Sequence, residues 1–459
     1  MKVSFPNQSI ESAVADVART LSAANGRIFL AGGCVRDSIL GLPLKDVDIE
    51  VYGIAPDRLI AILSARFRLD LVGQAFGVIK LQGLPIDISI PRRESKAGLG
   101  HKGFAILSDP FMTPEEAGSR RDFTINSMLC DLASESLVDP YGGIRDLEAK
   151  VLRHTSEKFI EDPLRVLRGM QFAARFQLTP AQETIALCKT IGLEGLARER
   201  ILEEWIKLIL RGIKPSIGLR FLKDTEWIKH FPELQILDGC KQEPEWHPEG
   251  DVWTHTLQCM DAFAAERTGD DWEDTVVGFA VLCHDFGKPA TTAFMDGRIR
   301  SLGHEEAGEC PTRSFLARMT NQEDLIESIV PLVAHHLKPQ ELYKSRAGDS
   351  AIRRLARKVR RIDRLVRVVK ADQMGRFPMV CEGFPEGAWL LDNARRLEVQ
   401  DSAPKPLVQG RHLIQMGMTP GPIFKVILDE CYEAQLDGVF STTEDGIAFA
   451  TPIIATTVH

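Results

Sequence analysis

No stretch of the chain approaches the ~20 consecutive apolar residues that a membrane-spanning helix needs, and its opening residues, MKVSFPNQSIESAVADVART, lack the charged-then-apolar pattern of a signal peptide. Nine cysteines stand at 34, 130, 188, 240, 259, 283, 310, 381 and 431, yet no two form a Cys-x-x-Cys pair. That spacing argues against a zinc ribbon or a dithiol redox couple and for buried, reduced thiols. An excess of positive charge is missing too: 56 Lys and Arg against 64 Asp and Glu give a formal net charge of -8, so there is no general basic coat for nucleic acid. Internal repeats and low-complexity tracts are also absent. What remains is the expectation of a cytoplasmic globular protein with no membrane role, whose 459 residues allow two to four domains at ~100 to 200 residues each.

Charge is unevenly placed along this acidic chain. The run YKSRAGDSAIRRLARKVRRIDRLVRVVK, residues 343 to 370, carries eleven Lys or Arg against two Asp. It is either a local strip for a polyanion, acting within a screening length of roughly 8 Å, or a solvated helix face. Residues 1 to 150 mix β-rich runs (RIFLAG, VDIEVYG, FGVIKLQ, IDISIP) with amphipathic stretches, and from SEKFIEDPLRVLRGMQFAARF onward the strand signal nearly disappears while apolar spacings of three and four take over. The expected class is α+β: an α/β head with a small sheet over 1–150, a helical neck over 151–240, a third domain over 241–376 and a helical tail over 377–459.

Two constellations carry chemistry. In KDVDIEVYG, Asp46 and Asp48 lie two apart in a β-branched context, and the strand period puts both on one face. Paired carboxylates repel unless a cation joins them. Magnesium suits: it takes hard oxygen ligands and is usually held by one or two carboxylates plus substrate phosphates. Upstream, Gly32 and Gly33 follow a strand and open a helix, so backbone N–H groups can approach a phosphate that Arg36 could pair with. Asp87 in IDISIP is a candidate third carboxylate.

Gly-Gly-x-x-Arg-Asp followed by Asp-x-Asp resembles the nucleotidyltransferase signature of the polymerase-β superfamily. RRDFTINSM (120–128), DPYGGIRDL (139–147), EDPLRVLRGMQFAARF (161–176) and RERILEEWIKLIL (198–210) resemble the successive motifs of bacterial class II tRNA nucleotidyltransferases and their poly(A) polymerase relatives. The resemblance implies transfer of nucleotides from CTP and ATP to a tRNA 3' end, with magnesium on Asp46 and Asp48. Glu161, Asp162 and Arg165 match the motif that presents hydrogen-bonding groups to the base, with Arg168 and Arg121 aiding the triphosphate. The plainer reading leaves Asp162 as a helix cap before Pro163. Arg121 and Asp122 could instead form a buried ion pair, and Arg200, Glu204 and Lys207 are expected to brace the neck. The polar, glycine-containing PRRESKAGLGHKGF (91–104) is similar to the loop that helps such enzymes switch from CTP to ATP.

The second constellation spaces His255, His284-Asp285, His304, His335-His336 and Asp372 over helical sequence, and imidazole with carboxylate suits a divalent transition metal. It resembles the HD phosphohydrolase domain. The resemblance implies His255, His284, Asp285 and Asp372 as ligands, Lys288 near a phosphate, and His304, His335 and His336 holding substrate or a second metal. In the tail, Arg411 and His412 stand where the family commonly has a Lys-Asp pair. A paralogue that adds only CC, only A, or a poly(A) tail shares these motifs. An HD hydrolase with a regulatory nucleotide-binding head is the rival of another class.

Overall fold

The computed structural model describes residues 3–71, 78–96, 104–378 and 383–457. Its chain divides into two compact units, Met1–His230 and Phe231–His459, and mixes helices with a small sheet. The first unit opens with the helix Gln8–Ser22, capped by the Asn7 side chain accepting from Ile10 N at 3.0 Å. Its buried residues Ile10, Val14, Val17 and Leu21 recur every three to four positions, one face of a helix against a core.

Among the described residues, nine strands lie between Arg27 and Val138. They are β1 (Arg27–Ala31), β2 (Val47–Tyr52), β3 (Leu69–Asp70), β4 (Val78–Leu81), β5 (Ile86–Ser89), β6 (Arg92–Lys96), β7 (Phe104–Ser108), β8 (Leu129–Asp131) and β9 (Leu137–Val138). Seven make one sheet in the order β3-β4-β5-β2-β1-β8-β9, while β6 and β7 pair separately. The loop proposed as a CTP-to-ATP switch has its strands here, but its residues 97–103 lie outside the described residues. At the start of β2 Val47 and Ile49 are buried while Asp48, and Asp46 just before the strand, face out; Glu50, Val51 and Tyr52 are all buried. β5 runs parallel beside β2 in a register that sets Asp87 opposite Asp48.

After the sheet, helices Leu164–Phe176, Arg198–Arg211 and Pro215–Asp224 pack together. They approach closely at two glycines: a Cβ on Gly218 would sit 2.5 Å from Met170 O, and one on Gly169 would sit 2.7 Å from the Phe221 ring.

The second unit is helical, and Val252–Ala265, Asp271–Cys283, Glu323–Ala334 and Ile362–Met374 enclose its main core. A hairpin that the sequence reading missed, Thr292–Met295 with Arg298–Ser301, interrupts them. Farther on, Val408, Leu413, Ile427, Cys431, Phe440 and Ala450 form a separate apolar cluster. In the helix Gly410–Gln415, His412 replaces an acid as a cap, its Nδ1 accepting from Gln409 N at 3.1 Å. No helix among the described residues is long and apolar enough to cross a membrane.

The basic run is not a free strip. Arg354 pairs with Glu433 and Asp437, Arg357 with Glu433, Arg361 and Arg364 with Glu273, Arg367 with Asp274 and Lys370 with Glu266. Six of its eleven cations thus tie helices of their own unit together. Arg364, only 9% exposed at the side chain, is bidentate to Glu273 at 2.7 and 2.6 Å, the strong form of such a pair. Replacing Arg364 by Ala is expected to lower unit stability by about 1–3 kcal/mol in thermal unfolding. It should leave the salt dependence of polyanion binding unchanged, whereas loss of a phosphate contact would reduce the log–log slope by about 0.7–0.9.

Candidate active site and metal centre

In the first unit, β1 ends at Ala31, Gly32 turns the chain with φ +64°, and the helix Gly33–Ile39 begins. Cys34 of that helix lies beneath the end of β2: its sulfur accepts from Asp48 N at 3.0 Å and lies 3.2 Å from Asp46 O. Burial pushes this thiol up to about 12, so it stays a protonated donor and pins the Asp46–Asp48 turn. Partial desolvation by the protein packed around it at the cavity wall, then the neighbouring Asp87, push the Asp48 carboxyl above its ordinary value, while Lys80 pairs with Asp87 at 3.0 Å. Asp48 and Asp87 stand side by side on adjacent strands, while Asp46, just before β2, lines a neighbouring cavity with Asp48 and not the one that Asp48 shares with Asp87. Hard oxygen donors so arranged fit a divalent cation.

Asp48, Asp87, Gly32 and Gly33 line one side of a cavity of about 610 Å³. Its other walls carry Asp122, Asp162 and eight cations: Arg36, Arg121, Arg165, Arg168, Arg175, Arg200, Lys207 and Arg211. Eight positive against four negative side chains leave an excess of four cations in a space of small-ligand size, as a polyphosphate requires.

Most of these cations are braced rather than loose. Arg36 is buried, donates to Asn126 Oδ1, pairs with Asp37 at 2.7 Å and stacks over Phe176. Arg121 and Asp122 do not pair with each other. Arg121 reaches Glu50 at 3.0 Å and Asn126 O at 2.9 Å, and Asp122 accepts from Arg168 at 2.6 Å and from Asn126 at 3.0 Å. Burial alone would raise the Asp122 pKa, but Arg168 and Asn126 hold it below the usual carboxylate value.

At the helix entrance, Asp162 caps Leu164 N at 3.1 Å and also holds Arg200 at 3.0 Å, so cap and cavity wall coincide. Arg165 donates at 2.6 Å to the carbonyls of Lys158 and Arg120. Glu161 pairs with Arg120 at 3.4 Å and is not among the cavity-lining residues. Arg200 and Lys207, expected only to brace the neck, line the cavity as well. Lys207 pairs with the buried Glu204 at 2.8 Å. Glu50, Arg175 and Arg211 were missed, although Glu50 shares the two-residue period of Asp46 and Asp48 and could have been read from it.

A Cβ on Gly32 would sit 3.1 Å from Arg121 Nη1, at a φ that side chains rarely adopt. Gly32→Ala is therefore expected to cost about 1–2 kcal/mol of stability and to weaken nucleotide binding by displacing Arg121. Unfolding and nucleotide titration of the purified variant measure both.

The second unit gathers the other constellation. His255 Nε2 lies 3.1 Å from Asp372 Oδ1 and 3.3 Å from His284 Nε2, and His284 Nε2 lies 3.2 Å from Asp285 Oδ2. His304 and His336 face each other through Nε2 at 3.2 Å, with Asp285 Oδ1 3.4 Å from His304. His284, His304 and His336 each donate Nδ1–H to a backbone carbonyl, of Val281, Ser301 and Val333, at 2.7 Å. His255 Nδ1 meets Glu249 at 2.8 Å. In His284, His304 and His336, then, the Nε2 lone pair of the neutral ring points inward at other acceptors; burial alone would lower the His255 pKa, but Cys259, Asp372 and Glu249 hold it well above the ordinary value. Burial and the nearby His284 and His304 push His336 down to about 3, which keeps that ring neutral.

Asp285 is 1% exposed, and neither of its oxygens accepts a hydrogen bond, although Lys288 Nζ lies 2.8 Å from Oδ2. Converging imidazole lone pairs and buried carboxylates, offset here in part by Lys288, repel one another unless a cation joins them, so the donor set fits a divalent metal. Lys288 also reaches Gln242 at 2.7 Å and lines a cavity of about 220 Å³ with His304, His336 and Arg376. His335, expected to join, ends the helix Glu323–Ala334 and belongs to none of the donor groups found among the described residues. The sequence reading missed His247, Glu249, Cys259 and Arg376. Cys259, one helical turn after His255, was legible by spacing.

Known proteins bear on both constellations. The poly A polymerase head domain family matches residues 28–153 and the HD domain family residues 252–369. The chain is 36% identical over 378 residues, covering 79% of itself and 90% of the relative, to the multifunctional CCA protein of Stenotrophomonas maltophilia (strain K279a). With that of Acinetobacter baumannii (strain AYE) it shares 33%, over 82% of itself and 91% of the relative. Its fold is that of the Bacillus stearothermophilus CCA-adding enzyme in complex with CTP (TM-score 0.67, 19% identity, 98% of this chain and 99% of that one). It is also that of the Thermotoga maritima CCA-adding enzyme complexed with tRNA (TM-score 0.57, 21% identity, 98% and 96%).

Proposed function

The chain belongs to the multifunctional CCA protein family, and from that premise we propose how its two constellations divide the work. It is a nucleotidyltransferase that adds CCA to tRNA 3' ends from CTP and ATP. We assign transfer to the head over 1–150 with the neck over 151–240, hydrolysis to the HD region over 241–376, and tRNA holding in part to the tail over 377–459. The observation that carries the reading is the 610 Å³ cavity with Asp48 and Asp87 on one side and the Asp162–Arg165 helix start on the other.

In that cavity the excess cations bind the triphosphate, and the Gly32–Gly33 turn lets backbone N–H groups approach it. Asp162 accepts from a base's exocyclic amino group and Arg165 donates to a ring nitrogen or carbonyl, so a small tilt serves cytosine or adenine. Arg168 reaches the phosphates from the far side of Asp122, which fixes its direction. Asp46 and Asp48 would hold magnesium, which when bound lowers the pKa of the attacking 3'-hydroxyl and offsets charge on the leaving pyrophosphate. No protein nucleophile is required. A cytoplasmic location suits these substrates.

In the second unit His255, His284, Asp285 and Asp372 would hold a divalent metal, with His304, His336 and Lys288 toward a phosphate. The expected reaction is hydrolysis of 2',3'-cyclic or 2'-phosphates, which would trim damaged RNA ends before addition.

The test is end-labelled tRNA stopping at the discriminator base, incubated with CTP alone, ATP alone or both. Two nucleotides added with CTP and three with both is the expected result. A long A tail, or arrest after CC, would replace CCA addition by one of its narrower relatives.

A further inference from the structure

Cys259 stands one turn after His255 on the helix Val252–Ala265, fully buried, with its sulfur 3.3 Å from His255 Nε2. The donor atoms of His255, Cys259, His284 and Asp372 all lie within 4.8 Å of one another. Bonds of about 2.0–2.3 Å to a tetrahedral metal give donor–donor edges of about 3.3–3.8 Å. The edges from His255 Nε2 measure 3.3 Å to the sulfur, 3.3 Å to His284 and 3.1 Å to Asp372, with Asp285 farther off at 3.7 Å. The sulfur thus stands as far from His255 Nε2 as two ligands of one tetrahedral metal would stand from each other.

The corner is fixed sterically. A Cβ on Gly375 would lie 2.3 Å from the Cys259 sulfur and 2.8 Å from its backbone nitrogen, so the glycine is what lets the backbone close over the thiol. On the other side of His255, Glu249 takes Nδ1–H at 2.8 Å and so aims Nε2 at the same point, the usual carboxylate–histidine–metal arrangement.

We propose that Cys259 is a ligand of the metal in the second unit, its S–H proton passing to solvent as the metal–sulfur bond forms, and that it biases the centre toward zinc, cobalt or nickel over magnesium or manganese. Thiolate is a soft donor, and a single sulfur among nitrogen and carboxylate ligands favours borderline cations over hard ones. This rests on reading the second unit as a metal centre.

The full-length chain, stripped of metal and titrated with cobalt(II), should develop a near-ultraviolet sulfur-to-cobalt charge-transfer band. X-ray absorption of the zinc-loaded chain should show one sulfur at about 2.3 Å. Cys259→Ser should lose the band and bind cobalt about tenfold or more weakly. The exposed Cys310→Ser should keep it. His284→Ala, which removes no sulfur, should lose the band as well, separating this centre from Cys34 in the head. Cobalt bound with only nitrogen and oxygen neighbours would overturn the thiolate assignment and leave the metal centre standing. Failure of the unmutated chain to bind cobalt in its second unit would overturn both. The absorption measurement on unmutated protein decides the matter even if Cys259→Ser does not fold.

Discussion

Asp48→Asn is expected to reduce incorporation of both CTP and ATP by about 10³-fold or more, equivalent to about 4 kcal/mol of transition-state stabilisation. Asn keeps the shape of the side chain and the backbone bond from Asp48 N to Cys34 (3.0 Å), so the loss reports charge and not a collapsed strand. The accompanying change in stability has the opposite sign to most mutations. Partial desolvation and Asp87 raise the Asp48 pKa in the folded chain. A carboxyl with a raised folded pKa stabilises the fold only while it is protonated, and that contribution is lost as pH rises through the folded value. At neutral pH without divalent metal the charged Asp48 therefore costs stability, and removing the charge should leave the unfolding temperature in EDTA unchanged or higher. Incorporation within tenfold of the unmutated rate would reject the assignment of these carboxylates.

The second large effect is expected at Asp285→Asn. Its carboxylate is buried between Lys288 (2.8 Å), His284 (3.2 Å) and His304 (3.4 Å), and the substitution removes a metal ligand while leaving the Lys288 ammonium buried without its counter-charge. Loss of bound metal and of phosphohydrolase activity should follow. Stability of the second unit should fall by about 3–5 kcal/mol, the usual cost of breaking a buried pair from one side. CCA addition, which uses residues of the first unit, should continue when the assay is run below the lowered unfolding temperature. Metal content by elemental analysis and incorporation by gel measure the two arms separately. A chain that kept its metal would sink the ligand assignment.

The strands that bear the head's chemistry were legible because each is long enough to show its period: VDIEVY alternates, and IDIS sits beside it in register. β8 and β9, of three and two residues, are too short to show any period. The hairpin around Asp296-Gly297 was signalled by its turn dipeptide but was masked by the helical sequence on either side. Ligands spaced along helices were legible as types and spacings. Partners set by folding were not. Nothing in the sequence says that Arg121 goes to Glu50 while Asp122 goes to Arg168, or that Glu161 turns to Arg120, because those choices depend on side chains meeting from distant segments. The basic run misled for the same reason: charge is visible in a sequence, but its neutralisation by Glu273, Asp274 and Glu433 is tertiary.

Gly287 and Gly375 set the mutational tolerance of the second unit. A Cβ on Gly287 would fall 1.9 Å from His304 O, and one on Gly375 would fall 2.3 Å from the Cys259 sulfur. A single methyl at either place would have to push whole segments apart, an obstacle of volume, whereas exchanging a ligand such as Asp285 costs charge balance that a second change at its partner Lys288 can offset. Descendants of this chain can therefore drift in which ion they carry, or carry none, more easily than they can change the two positions that bear no functional group at all.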